Sequence, residues 1–227
     1  VSDKMITSFP EDWRGYYSRS LVFMDENNYE SAVSILDPVS ETFSNIFSIQ
    51  YILGLCYSRI KMDNDAVDFY NRALTIRPNS INVLHSIAIL YDEMSEWVKS
   101  DKIYDKLINS NPKDAQAFNN YAYSLTERNK DLERALGYAE KAVKLEPNNS
   151  SYLDTIGWTY FKLNDLKRAK KYIKQSIDIQ SENSVVLEHY GDILMKSNDP
   201  AKALDYYRKA YEYDSENQQL KKKAFPD

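Results

Sequence analysis

The chain contains little cysteine and little glycine. Among its 227 residues there are one cysteine, Cys56, and five glycines. A single thiol can form neither an internal disulfide nor a cysteine-rich zinc site, which excludes disulfide-stapled and zinc-finger architectures. So few glycines argue against glycine-rich phosphate loops, and the sequence carries no metalloprotease, nucleotide-binding or serine-hydrolase motif. We therefore expect no catalytic residue, no metal site and no cofactor.

A large excess of charge and long apolar runs are also absent. The 29 Lys and Arg residues against 34 Asp and Glu residues give a formal net charge of −5. This balance opposes nucleic acid as the general partner. No apolar run approaches the roughly 18 to 20 residues that a membrane-spanning helix needs, so no membrane span is expected.

The sequence does contain a period of 34 or 35 residues. One series of small residues follows it, at Ala32, Ala66, Ser100, Ala135, Ala169 and Ala203. A second small series runs in step, at Ser20, Gly54, Ala88, Ala122, Gly157 and Gly191, and a large side chain follows three positions after each member. Series that share one period predict a repeated structural unit.

Each unit has helical periodicity twice. In the third unit Leu84, Ile87, Ala88 and Tyr91 recur at i, i+3, i+4 and i+7, and Ile103, Tyr104, Leu107 and Ile108 form a second stripe. Each unit is therefore predicted to be a helical hairpin, in which small residues of the two helices contact each other. The predicted repeats are 13–46, 47–80, 81–114, 115–149, 150–183 and 184–217. The extra residue of the fourth repeat is expected in the turn at 128–131. Residues 1–12 are predicted to form an N-terminal extension. Residues 218–227 are predicted to form a tail, with an end helix (218–223) too short to cover the last hairpin.

Two stretches carry a resemblance to a known family. Leu53-Gly54-x2-Tyr57 with Ala66, Tyr70, Ala73 and Pro78, and Leu153-x2-Ile156-Gly157-x2-Tyr160 with Ala169, resemble the tetratricopeptide repeat (TPR) over about residues 13–217. The resemblance implies an all-α, right-handed superhelical solenoid of about six helix-turn-helix repeats. First helices would line a concave groove and second helices would form the convex back. It also implies a non-catalytic scaffold that binds peptides, helices or proteins.

The last three repeats carry a narrower resemblance. Their segments 119–125, 153–161 and 189–192 are similar to TPR adaptors of the bacterial cell envelope. This resemblance implies a bacterial protein of the envelope or periplasm, with the cytoplasm as the alternative.

Each first helix packs through one stripe of residues, and we expect the stripe on its opposite side to face the groove. These candidate binding residues are Tyr51, Arg59, Asn82, His85, Asp92, Asn119, Asn120, Tyr123, Glu127, Asp154, Trp158, Phe161, Lys162, Glu188, His189 and Asp192. Tyr123, Trp158 and Phe161 would be interface hot spots, or they would pack against adjacent first helices. Asn120 could hold a peptide backbone. The acidic members favour a partner with Lys or Arg beside apolar anchors.

Other residue types have structural interpretations that outweigh functional ones. Cys56 is expected to be a half-buried structural thiol, and His85 and His189 are expected to be groove or surface residues and not catalytic ones. The basic stretch Lys167, Arg168, Lys170, Lys171 and Lys174 is either a solvated face or a site for an acidic partner. In chaperone-binding TPR domains a set of Lys, Asn and Arg clamps a C-terminal carboxylate. With Asn120 as the middle residue, the flanking places hold His85, Ile89, Ser151 and Thr155, so this clamp is absent.

The sequence therefore predicts a protein–protein interaction scaffold. Three alternatives stay open. The chain could be a helical-repeat RNA-binding protein, although its acidity and 34-residue spacing weigh against this. It could also be the substrate-recruiting segment of a larger enzyme, or it could self-associate through its last hairpin.

Overall fold

The structure is a computed structural model that describes residues 2–226, and this part of the chain is helical and contains no strand. The helices in chain order are α1 (Ser2–Ser8), α2 (Trp13–Asp25), α3 (Tyr29–Leu36), α4 (Phe47–Arg59), α5 (Asp63–Ile76), α6 (Ile81–Glu93), α7 (Trp97–Ser110), α8 (Ala115–Glu127), α9 (Leu132–Leu145), α10 (Ser150–Lys162), α11 (Leu166–Ile179), α12 (Ser184–Lys196), α13 (Pro200–Tyr213) and α14 (Gln218–Ala224). A 3-10 turn, Asp37–Val39, follows α3. The expected all-α class is confirmed.

Successive helices from α2 to α13 are joined in pairs by short turns. Each turn contains a non-glycine residue with a positive φ angle at an equivalent place: Asn27, Lys61, Ser95, Asn129, Asn164 and Asn198. The left-handed backbone reverses the chain after a first helix, and asparagine tolerates it better than most residues. The extra residue of the fourth repeat lies in the turn before α9, where Asp131 also has a positive φ angle.

The chain divides into two compact units between Leu107 and Ile108, within α7. Unit 1 contains α1 to α6, and its core centres on buried residues of α3, α4, α5 and α6 such as Leu36, Leu53 and Tyr70. Unit 2 contains α8 to α14, and its core centres on residues of α10 to α13 such as Ile156 and Ile173.

Glycines let three first helices approach their second helices closely. A Cβ atom would lie 2.5 Å from Tyr70 at Gly54, 2.7 Å from Ile173 at Gly157 and 2.4 Å from Tyr207 at Gly191. The nearest side chains are therefore large residues of the second helix, and not the periodic alanines that were expected there. The alanines Ala66, Ala169 and Ala203 are themselves fully buried.

Side-chain caps fix the starts of the first helices in unit 2. Asp114 accepts a hydrogen bond from the N–H of Ala117 at 3.0 Å, and Asn149 and Asn183 accept N–H bonds at the starts of α10 and α12. Asn217 continues this series 34 residues after Asn183 and caps α14. Since such caps satisfy orphan backbone donors, they set where each helix begins.

Two short helices lie outside the predicted repeats. In α1, Ile6 packs against Gly15 of α2, where a Cβ atom would lie 3.1 Å from Ile6 Cγ1. In α14, Leu220 and Ala224 are fully buried in the core of unit 2. The expectation that the end helix is too short to cover the last hairpin was wrong, because these two side chains give α14 an apolar face that packs on α13.

Candidate functional site

The first helices of unit 2 lie side by side and bond to one another. The indole Nε1–H of Trp158 on α10 donates to Glu127 Oε1 on α8. His189 Nδ1 on α12 lies 2.9 Å from Asp154 Oδ1 on α10. We call the surface formed by α8, α10 and α12 the first-helix wall; its members from the candidate set are Asn119, Asn120, Tyr123, Glu127, Asp154, Trp158, Phe161, Lys162, Glu188, His189 and Asp192.

Trp158 is part of the packing of the wall. The residue is only 7% exposed. Its ring stacks on the rings of Phe161 and His189, with 4.6 Å and 3.9 Å between the ring centroids. Lys162 Nζ lies 4.9 Å from the indole centroid. Of the two alternatives for Trp158, its burial favours packing against the adjacent first helix, which supplies His189 as its stacking partner.

His189 and Asp154 form a buried pair behind the wall surface. Both residues are more than nine-tenths buried. Burial opposes protonation of the imidazole, but the carboxylate of Asp154, with smaller contributions from Glu127 and Asp192, raises the pKa of His189 above its usual value of 6.5. The pair is placed to hold α10 against α12, and neither residue is exposed for contact with a partner.

Tyr123 and two asparagines form the more open part of the wall on α8. Tyr123 is 39% exposed, and partial burial together with Glu127 and Asp154 raises its pKa to about 12, so its hydroxyl stays protonated at neutral pH. The amide of Asn119 donates to Asn120 Oδ1 at 3.3 Å. The buried Oδ1 of Asn119 accepts no hydrogen bond from any described residue. The exposed ring of Tyr123 is suited to contact an apolar side chain of a partner.

The acidic residues of α12 already have a basic partner within the chain. Lys223 Nζ of α14 lies 2.8 Å from Glu188 Oε1 and 2.7 Å from Asp192 Oδ1. Tyr207 also donates its hydroxyl to Asp192, at 2.7 Å. That Glu188 and Asp192 favour a basic partner stays a prediction, and α14 brings Lys223 of the same chain to both of them. Lys223 follows Asp192 by 31 residues, a spacing that differs from the repeat period. The repeat pattern therefore did not predict this pair.

In unit 1 the five candidate residues do not form one surface feature. Arg59 and Asn82 are exposed, Tyr51 is half-buried and stacks on Phe47, and His85 is buried. Asp92 accepts from Ser100 Oγ at 2.6 Å and from Tyr104 Oη at 3.0 Å. These donors belong to α7, so Asp92 faces its own hairpin and not the stripe where it was predicted.

Cys56 lies in the core of unit 1. Cys56 on α4 is fully buried, and burial raises the pKa of its thiol to about 12. A thiol with so high a pKa is a poor nucleophile. The interpretation of Cys56 as a structural residue agrees with this, although it is fully buried and was expected to be half-buried.

Family comparison agrees with the repeats. A tetratricopeptide repeat family model matches residues 77–227, more than half of the chain, and a second matches residues 47–80. The chain belongs to the tetratricopeptide repeat family. This fold supports protein–protein interaction and is generally non-catalytic. No helix among residues 2–226 is both long enough and apolar enough to cross a membrane.

Curated relatives match parts of the chain. The photosystem I assembly protein Ycf3 of Prochlorococcus marinus is 29% identical over 145 residues, which cover 57% of this chain and 82% of that protein. The uncharacterized protein ycf37 of Pyropia yezoensis is 29% identical over 98 residues, which cover 42% of this chain and 52% of that protein. The chain therefore spans about half the length of ycf37.

Solved structures share the fold at low identity. The chain is similar to the Cut9–Hcn1 crystal structure of the APC/C, with a TM-score of 0.83 and 10% identity, over 99% of this chain and 44% of that one. It is also similar to PilW, described as a type IV pilus biogenesis factor, with a TM-score of 0.77 and 14% identity, over 91% of this chain and 95% of that one. These likenesses show the solenoid fold alone.

Proposed function

We propose that the chain is a non-catalytic scaffold that holds an extended or helical segment of another protein on the first-helix wall of unit 2. The observation that carries this proposal is the exposed ring of Tyr123 at the edge of a wall whose centre is filled by the buried residues Trp158 and His189. A partner segment that covers Tyr123 would remove apolar area from water.

The charges of the wall define the polar part of the partner. Glu127 is exposed but already accepts a hydrogen bond from Trp158. Glu188 and Asp192 already form ion pairs with Lys223. A carboxylate can accept further hydrogen bonds, so Glu127 offers a site for a Lys or Arg side chain next to the Tyr123 anchor. A basic group at Glu188 and Asp192 would compete with Lys223. The preferred segment therefore has an apolar anchor flanked by one basic residue near Glu127.

Quantitative affinity capture from the native source tests this function. Wild-type protein, Tyr123→Ala and Tyr213→Ala would each be immobilised, and the retained proteins compared by mass spectrometry after nuclease treatment. Tyr213 is 52% exposed on the second helix α13, so Tyr213→Ala is the matched control. We expect Tyr123→Ala to weaken retention of a specific partner about tenfold, which corresponds to about 1.4 kcal/mol. Equal retention by Tyr123→Ala and wild type, or retention that nuclease abolishes, would overturn the proposal.

A further inference from the structure

Four lysines form a continuous stripe on α11, the second helix of the fifth repeat. Lys167, Lys170, Lys171 and Lys174 are spaced at i, i+3, i+4 and i+7, so they share one helix face. Like charges at these spacings repel and destabilise a helix. The stripe flanks the buried face that Ala169, Ile173 and Ile177 form; Lys170, at its edge, is half-buried, and the other three lysines are exposed.

The stripe borders an open cleft of about 570 Å³. Besides the four lysines the cleft is lined by Leu166, Tyr190 and Ser197, and we call this set the basic cleft. The Tyr190 ring is mostly buried and is held edge-on against Tyr206, with 4.6 Å between centroids. The cleft thus has an aromatic and aliphatic surface beneath a row of ammonium groups.

Most of the positive charge in the basic cleft has no counter-charge within unit 2. Lys174 Nζ lies 2.6 Å from Asp178 Oδ1. For Lys167, Lys170 and Lys171, no carboxylate of the described residues lies within 4.0 Å. These three neighbouring ammonium groups, of which that of Lys171 lies 5.5 Å from the centroid of the Tyr172 ring, create a local positive potential on a chain whose net charge is −5.

We propose that the basic cleft binds an acidic segment of a partner protein. Carboxylates of the segment would pair with Lys167, Lys170 and Lys171, and an apolar side chain would cover Leu166 and Tyr190. The stripe extends along about 10 Å of helix, which matches two or three carboxylates. Asp178 and Asp199 lie at its margins, paired with Lys174 and Lys202. This surface is separate from the first-helix wall, so it adds a second contact to the scaffold.

Fluorescence anisotropy with a labelled peptide tests the proposal directly. The probe is a synthetic peptide of four Asp-Glu-Leu repeats, and the uncharged probe has four Asn-Gln-Leu repeats. The variant Lys170→Gln with Lys171→Gln removes two charges of the cleft. Its control is Lys221→Gln with Lys222→Gln, which removes two adjacent charges from exposed positions of α14. Circular dichroism of each variant checks that it is folded.

We expect the acidic peptide to bind the wild type and the control pair, and to bind the cleft variant at least tenfold more weakly. Binding should weaken as salt increases, and the uncharged peptide should not bind. Lysine acetylation measured by mass spectrometry should show protection of Lys170 and Lys171 by the acidic peptide. Peptide binding that is equal in the two variants, or no binding at all, would overturn the proposal. So would cleft-dependent binding of a twelve-nucleotide RNA, or of vesicles with 30% phosphatidylserine, in place of the peptide.

Discussion

The imidazole ring of His189 lies flat against the indole ring of Trp158, with 3.9 Å between the ring centroids and 12° between the ring planes. The two residues come from adjacent first helices, α12 and α10, and His189 is bonded on its other side to Asp154. The centre of the first-helix wall is therefore filled by stacked rings and a buried histidine–aspartate pair. The surface available to a partner begins at its edges, at Tyr123 and Glu127.

Replacing Trp158 should destabilise unit 2 before it affects any binding. Trp158→Ala removes a buried ring that contacts Phe161 and His189 and leaves Glu127 without its indole donor. We expect a loss of about 3 to 5 kcal/mol in the free energy of unfolding, measured by urea denaturation. Tyr213→Ala is the control and should lose less than about 1 kcal/mol because the ring is mostly exposed. A Trp158→Ala loss no larger than that of the control would contradict the buried placement.

The His189–Asp154 pair should make stability depend on pH. Because Asp154 raises the pKa of His189 in the folded state, the charged pair contributes fully below pH 6.5, and this contribution is lost as the pH rises through the raised pKa. We expect the difference in unfolding free energy between wild type and His189→Asn to be largest near pH 5.5 and to shrink by pH 9. Urea denaturation across this range measures it.

A second variant separates this effect from general destabilisation. In Asp154→Asn the imidazole has lost the carboxylate that favours its charged form, so an NMR titration should give His189 a lower pKa than in wild type. A stability difference that stays constant or grows with pH, together with an unchanged His189 titration, would contradict the account of the pair.

Two glycines of unit 2 should respond to alanine in opposite directions. At Gly157 a Cβ atom would lie 2.7 Å from Ile173 Cγ1 and 3.1 Å from the Ile173 backbone nitrogen, which cannot move without displacing α11. We expect Gly157→Ala to cost about 1 to 3 kcal/mol of stability. At Gly137 on α9 nothing lies within 4 Å, so Gly137→Ala should stabilise the protein by about 0.5 to 1 kcal/mol through helix propensity. Thermal denaturation of both variants checks the signs, and a neutral Gly157→Ala would contradict the close approach.

Lys223 should hold α14 on the wall. Its ammonium group bonds to both Glu188 and Asp192, and these hydrogen bonds raise the pKa of Lys223 against the opposing effect of burial. We expect Lys223→Gln to cost about 1 kcal/mol and to speed amide hydrogen exchange in α14. Lys222→Gln, one residue earlier and exposed, is the control and should leave exchange unchanged. Equal exchange in the two variants would show that α14 is held by Leu220 and Ala224 alone.

The repeats could be predicted because small residues on a fixed period reveal which helix faces touch. Ala66, Ala169 and Ala203 are fully buried as that logic requires. The positive φ angles at Asn129, Asn164 and Asn198 also follow the period, and a search for recurrent asparagine in the turns could have located them. Lys61 and Ser95 occupy the same place without that signal.

The candidate site was less predictable, since it depends on contacts between repeats. An exposed stripe and a stripe packed on a neighbouring helix have the same periodicity, so Trp158 could not be separated from Tyr123 by sequence. Lys223 lies in a tail that the repeat pattern does not include, and only packing of α14 brings it to Asp192. The stripe of Lys167, Lys170, Lys171 and Lys174 was visible in the sequence, but its cleft was not.

Site-specific photocross-linking at the wall tests the central claim most directly. A benzophenone side chain would replace Tyr123 on α8 or, as the matched exposed position on a second helix, Tyr213 on α13, in protein expressed in the native source. The account predicts that position 123 cross-links one defined partner protein, that nuclease leaves the product intact, and that position 213 does not capture that partner. Capture of the same partner with equal yield at position 213, or of none at position 123, would contradict it.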